Sequence, residues 1–239
     1  MKLVFDIGNT CTKVALFDGA RMVDCSSIDR ELMPANAVEA YVATLDRHYT
    51  VDSAIASVVG AMPDWETILP KGMEIRLFDA RTALPFKVDY KTPHTLGADR
   101  LAAVLGARNR YPGEALAVID AGTCITLDYL DHEDTYRGGV IMPGIGMHLK
   151  AMNSFTARLP LLCFDYTEAP VMGQSTEECM LSGAVTSTLL ALDGYINHLK
   201  DQSQVRVILT GGDGLWIKEH LKNACEYQSN LLMEGLASV

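Results

Sequence analysis

Leu3-Val4-Phe5-Asp6-Ile7-Gly8-Asn9-Thr10 decides how this chain is read, because Ala117-Val118-Ile119-Asp120-Ala121-Gly122-Thr123 repeats its pattern far downstream. Each is an apolar run that stops at an aspartate and then turns on a glycine. After each turn the chain becomes extended again, over residues 12–17 and 125–130. The pattern is a weak internal repeat of strand, acidic turn and strand, and it divides the chain near its middle. Glycine lets backbone N–H groups approach phosphate oxygens, and each aspartate points at the cations that neutralise the charge. Two such hairpins facing each other can hold a polyphosphate and its metal. Two acidic strand ends are costly to place against a core unless a cation or hydrogen bonds hold them.

The bulk properties suit that reading. The chain has 239 residues, 49% hydrophobic and 21% charged, enough for one large domain or two modest ones with a substantial core. The formal net charge is −10 and the lysines and arginines are scattered, so no nucleic-acid footprint is present. An acidic protein can still bind an anion where local N–H groups and metal ions set the field. Asp6 interrupts the first apolar run and no small-residue cleavage site follows, which argues against a signal peptide. The apolar stretches fall short of the roughly 20 residues that cross a bilayer. Six cysteines without a Cys-x-x-Cys pair argue against zinc and redox motifs, and are expected as buried small hydrophobes. The expected location is the cytoplasm.

Residues 2–6, 12–17 and 20–27 read as three strands joined at Gly8 and at Asp18-Gly19. Residues 36–48 are helical, with Val38, Tyr41, Val42 and Leu45 on one stripe. A strand over 51–59, a short helix and a strand over 74–78 follow, then a loop over 80–94 and a helix over 96–110 ended by Tyr111-Pro112-Gly113. The second half opens with strands at 115–120, 123–130 and 136–141, and a helix from Pro143-Gly144 toward Phe155. Ser175-x-x-Glu178 is a capping box ahead of one long helix reaching residue 199. A strand over 205–209 ends in Thr210-Gly211-Gly212, and helices near 214–223 and 229–237 close the chain. Strands first and helices after, in both halves, predict two α/β domains around a cleft, 1–115 and 116–239.

Other phosphate motifs are absent. There is no Gly-x-x-x-x-Gly-Lys-Ser/Thr, no Gly-x-Gly-x-x-Gly after a strand, no Gly-x-Ser-x-Gly and no His-Glu-x-x-His. The six histidines show no ligand spacing. What remains are the two acidic turns, with Asn9, Thr10 and Lys13 beside the first, and Gly97-Ala98-Asp99-Arg100 at a helix start. Asp99 stands in the first turn, where the helix dipole favours a carboxylate, and Arg100 would keep it ionised and able to accept a proton. The same residues read equally as an Asx-turn hairpin and a simple helix cap. Thr210-Gly211-Gly212 lies at the carboxyl end of a strand, where α/β proteins place ligands, and two glycines suit a flat base; a plain turn fits them too. Thr176, next to the capping Ser175, offers a hydroxyl to a substrate or to water.

In order and rough spacing, these motifs, with Gly138-Gly139-Val140-Ile141-Met142-Pro143-Gly144, resemble type III pantothenate kinases. Echoes at Ser57-Val58-Val59, Tyr90 with Pro93, Arg158-Leu159-Pro160, Gly173 through Thr176, and Ser182-Gly183 extend the resemblance over nearly the whole chain. The Gly-Ala-Asp-Arg box is its most specific part. Gly60 stands where that family often has proline, and the loops near 60–75 are trimmed.

The resemblance implies the acetate and sugar kinase, Hsp70 and actin superfamily, with two actin-like (ribonuclease H-like) domains around a nucleotide cleft. It implies transfer of the ATP γ-phosphoryl to the primary hydroxyl of pantothenate, the first step of coenzyme A synthesis. It further implies that Asp6, Ile7, Gly8, Asn9, Thr10, Cys11, Thr12, Lys13 and Thr123 bind ATP. Asp99 would accept the proton, and Tyr90, Gly97, Ala98, Asp99, Arg100 and Thr176 would line the pantothenate site. Asp120 would bind potassium or ammonium, and magnesium would accompany ATP with Asp6 as its protein contact. The family forms homodimers, with no nucleic acid or membrane partner. The carboxylates at 6, 99 and 120 would then converge on one triphosphate. Two rivals stay open from the residues: a non-catalytic regulator that senses pantothenate or nucleotide, and another small-molecule kinase of the superfamily.

Overall fold

The computed structural model describes residues 1–29 and 32–239, which form two compact units. In the first unit, β1 (Lys2–Ile7) pairs antiparallel with β2 (Cys11–Asp18), and β2 with β3 (Arg21–Asp29). Helix α1 (Ala37–His48) leads to β4 (Ser53–Val58), which lies parallel to β1 on its other side. After the short α2 (Trp65–Ile68), β5 (Ile75–Leu77) pairs parallel with β4. The sheet order is β3-β2-β1-β4-β5. Strand alternation turns Leu3, Phe5 and Ile7 to one layer, where they bury against Val42 and Leu45 of α1 and Phe5 meets Trp65 edge-on at 5.3 Å. Val4 and Asp6 are left for the opposite face.

The segment expected as loop over 80–94 carries β6 (Lys87–Val88) and ends in a 3-10 turn at Pro93–Thr95. Helix α3 (Ala98–Arg110) follows, and every residue from Arg100 to Ala107 is buried. Its alanines and Gly106 let every side of it be covered.

In the second unit, β7 (Ala115–Ala121), β8 (Cys124–Leu130) and β9 (Thr135–Pro143) form an antiparallel meander. Helix α4 (Ile145–Ser154) follows, then a long irregular segment and α5 (Thr176–Leu181). A π-helical turn at Ser182–Thr186 separates α5 from α6 (Ser187–Lys200), so the expected single helix is interrupted. The cause is local: the Ser182 hydroxyl donates to the Val171 carbonyl, and Ser187 and Thr188 donate back to Gly183 and Ala184, competing with the regular ladder. By length and composition the stretch Thr176–Lys200 could cross a bilayer. Ala184, Val185, Leu192 and Ile196 are nevertheless buried in this unit's core. Strand β10 (Val205–Thr210) pairs parallel with β7, and after α7 (Gly214–His220) the short β11 (Glu226–Tyr227) pairs parallel with β10. Within this unit the strands run β11-β10-β7-β8-β9.

Each unit thus repeats one topology: three antiparallel strands, then a fourth parallel to the first and a fifth beyond it. The division differs from the expected boundary. It falls between Pro112 and Gly113, and Asn230–Val239 belongs to the first unit. The reason is α8 (Leu231–Ala237), which packs on α3. The backbones approach so closely that a Cβ on Gly106 would strike the Leu231 carbonyl, and one on Gly235 the Ala102 carbonyl. Arg110 grips Glu234 with two hydrogen bonds of 2.7 and 2.6 Å, and Lys2 Nζ donates to the Ala237 carbonyl at 2.9 Å. The cysteines also depart from expectation. Cys25, Cys124, Cys163 and Cys179 are exposed, Cys11 and Cys225 half-buried, and all are free thiols. Cys25 lies on the edge strand β3 and Cys124 at the first residue of β8, beside the turn.

Candidate active site

Asp6 and Asp120 occupy equivalent places. Each is the penultimate residue of its unit's central strand, flanked by a hairpin partner on one side and a parallel strand on the other. Asp6 pairs with Lys13 and Ser57; Asp120 pairs with Thr126 and Thr210. The turn that follows closes on its glycine N–H in both: Gly8 donates to the Cys11 carbonyl and Gly122 to the Cys124 carbonyl, each at 3.0 Å. The chain leaving the parallel strand then donates to the last residue of the central strand. Val59 and Gly60 N–H both reach the Ile7 carbonyl, and Asp213 N–H reaches the Ala121 carbonyl, all at 3.0 Å.

In the first unit, register places Lys13, Asp6 and Ser57 in one row on one face of the sheet. The sequence showed Lys13 as merely nearby. Ser57 is fully buried and its hydroxyl has no partner among the described residues. Asn9 and Thr10 are exposed at the tip of the turn. Cys11 and Thr12 stand apart from them: the Cys11 thiol meets the Ser27 hydroxyl at 2.8 Å, and Thr12 is buried.

The Gly-Ala-Asp-Arg box forms the first turn of α3. Asp99 folds back so that Oδ1 accepts the Arg100 backbone N–H at 2.9 Å. It lies across Gly97, where a Cβ would collide with that oxygen. Arg100 is only 6% exposed, so its charge is buried. Gly97 and Ala98 also line a cavity of about 520 Å³, together with Val58, Phe78, Arg81 and His94. Tyr90 is half-buried just beyond β6.

In the second unit, Thr123 is exposed and its carbonyl accepts the Gly144 N–H at 3.0 Å. Gly211, at φ +88°, packs its α-carbon against Asp120 and Ala121. Gly212, next to it, faces open space. Thr176 is exposed at the start of α5. Ser175 caps that helix by accepting the Glu178 N–H, and the Glu178 carboxylate reaches back to Gln174 N–H rather than to Ser175. Of the expected site residues, Asp6 to Lys13, Tyr90 and Gly97 to Arg100 belong to the first unit. Asp120, Thr123 and Thr176 belong to the second.

Two residues escaped the sequence reading. Tyr166 holds a left-handed backbone at φ +63°, and its hydroxyl donates to Asp213 Oδ1 at 3.1 Å. Burial pushes the Asp213 carboxyl above the usual carboxylate range, partly offset by the Tyr166 hydrogen bond. The only signal in the sequence was the position of Asp213 directly after Gly211-Gly212.

No group of three or more His, Cys, Asp or Glu side chains among the described residues is arranged to hold a metal. A divalent ion at these turns would take most of its ligands from phosphate oxygens and water, as magnesium does in nucleotide sites. One carboxylate at each strand end fits that use.

The architecture recurs in solved structures. A conserved candidate transcriptional activator of the Baf family from Campylobacter jejuni superposes with a TM-score of 0.59 at 20% identity, over 98% of this chain and 94% of its own. The 2-hydroxyisocaproyl-CoA dehydratase activator from Clostridium difficile, solved with ADPNP, gives 0.55 at 11% identity, over 99% and 92%. The fold is the α/β fold of the actin-like kinases and ATPases. A model of the type III pantothenate kinase family matches residues 2–198. A type III pantothenate kinase from Christiangramia forsetii is 37% identical over 242 aligned positions, covering 99% of this chain and 96% of the relative. The chain belongs to the type III pantothenate kinase family. Its reaction is the ATP-dependent phosphorylation of pantothenate, which opens coenzyme A synthesis.

Proposed function

We propose that the repeated acidic turns carry the phosphoryl-transfer chemistry. The observation that supports this is the matched placement of Asp6 and Asp120, each the penultimate residue of a central strand and followed by a turn that closes on its glycine N–H. The first turn, Asp6 to Lys13, binds the ATP phosphates with Thr123, chiefly through backbone N–H groups and the Lys13 charge. The side chains of Cys11 and Thr12 contribute little, being directed elsewhere. Magnesium accompanies ATP and meets Asp6; potassium or ammonium binds at Asp120. Asp99 orients the pantothenate hydroxyl and takes its proton, with Tyr90, Gly97, Ala98, Arg100 and Thr176 lining that substrate's site. Catalysis is then positioning plus electrostatics, as phosphoryl transfer requires.

The enzyme acts in the cytoplasm as a homodimer, without nucleic acid or membrane. The deciding assay is ADP release with pantothenate present and absent, in potassium, ammonium or sodium buffer. Release that needs pantothenate and falls in sodium is expected. ADP release indifferent to pantothenate would remove the acceptor assignment, and indifference to the monovalent ion would remove the role of Asp120. Light scattering should give twice the chain mass.

A further inference from the structure

The segment between α4 and α5 is fastened to α7 by a run of rings. Phe164 lies 4.7 Å from Tyr166 and meets Trp216 edge-on at 5.0 Å, and Trp216 stacks on His220 at 3.9 Å. Glu168 adds a 3.5 Å contact to His220. These contacts hold Tyr166 beside Asp213, the residue after Gly211-Gly212. A left-handed backbone is strained for a tyrosine, and such an outlier persists only where its surroundings over-determine it. Asp213 begins α7, yet its side chain makes no capping hydrogen bond. Among the described residues only Oδ1 has a partner, the Tyr166 hydroxyl, while Asp131 in the same unit accepts three hydrogen bonds. A half-buried carboxylate with one oxygen unused by the protein is suited to an incoming donor.

We propose that Tyr166 and Asp213 form the wall that reads the nucleoside of ATP, with Asp213 Oδ2 accepting a hydrogen bond from it. The inference rests on the kinase reading, with the base side at Gly211-Gly212. Two groups on adenosine can donate: the exocyclic amino group and a ribose hydroxyl. If the amino group is read, a 6-oxo base sets carbonyl lone pairs against the carboxylate and is rejected. If the 2′-hydroxyl is read, its deletion is what costs affinity. Tyr166 fixes the carboxylate, and its own ring stays half exposed.

Calorimetric titration with ATP, ITP and dATP, each with magnesium, tests this on the wild-type protein, Asp213→Ala and Tyr166→Phe. Wild type should favour ATP over ITP or over dATP by roughly tenfold, the value of one charge-assisted hydrogen bond. Asp213→Ala should bring that ratio close to one, and Tyr166→Phe should reduce it. The KM for pantothenate should stay within twofold in both, which also reports folding. A structural latch would not alter selectivity between nucleotides. If the variants keep the wild-type ratios, or if wild type shows no preference, the inference is overturned while the kinase reading stands. If wild type binds no nucleotide, the kinase reading falls and takes this inference with it.

Discussion

A methyl group on Gly211 would come within 2.5 Å of Asp120 Oδ1, so the turn after β10 and the penultimate aspartate of β7 are packed backbone to side chain. The φ of +88° at Gly211 adds a second restriction, since an L side chain is strained there whatever the space. Gly211→Ala is expected to cost roughly 1–3 kcal/mol through strain and overpacking. It should also push Asp120 out of place. Urea unfolding should show a lowered midpoint, and residual activity should lose its dependence on potassium or ammonium. A variant with wild-type stability and wild-type ion dependence would contradict the arrangement.

Asp99→Asn keeps an oxygen that can accept the Arg100 N–H and preserves the first turn of α3. Turnover is expected to fall by about a hundredfold or more if Asp99 takes the proton. ATP affinity measured by calorimetry should hold. Near-normal turnover would leave Asp99 as a helix cap alone.

Gly235→Ala tests the docking of the C-terminal helix on α3. The added methyl would meet the Ala102 carbonyl and the Gly106 N–H, both backbone groups that cannot swing aside. A loss of roughly 2–3 kcal/mol is expected, read as a lower thermal midpoint. Truncation before residue 230 should lower it further, because Leu231, Leu232, Met233 and Leu236 are buried.

Asp131 closes the hairpin between β8 and β9. Burial pushes its carboxyl up, but the Arg137 guanidinium at 2.6 Å and the N–H groups of Thr135 and Glu133 outweigh that, so it lies below the usual range. Its stabilisation is complete above the unfolded aspartate value near 4 and is lost as pH falls through the lower folded value. Asp131→Asn should therefore cost roughly 1–3 kcal/mol at pH 7, and the gap between variant and wild type should shrink below about pH 4. A gap independent of pH would mean that shape, not charge, holds the turn.

The acidic repeat was legible because it is local. An apolar run, a carboxylate and a glycine specify a strand end and its turn within a few residues, and Asp6 and Asp120 stand where that pattern put them. Strand limits were read to within a residue or two for β1, β2, β7 and β8, where alternation or continuous apolarity is strong. The short β6 and β11 were not, because two residues carry no periodicity. The exposed cysteines were misread for a related reason: residue type predicts burial only on average, and an edge strand leaves one side bare.

By itself, then, the sequence determined the kinds of element, their order, the two acidic turns and the family to which they belong, all set by hydrogen bonding and side-chain periodicity along short stretches. Only the tertiary structure decided that residues 230–239 return to the first unit, that Thr12 is buried while Thr10 is not, and that Tyr166 meets Asp213. Those outcomes depend on which backbones can approach across long separations. That is a matter of packing space at Gly106, Gly235 and Gly211, and no local pattern encodes it.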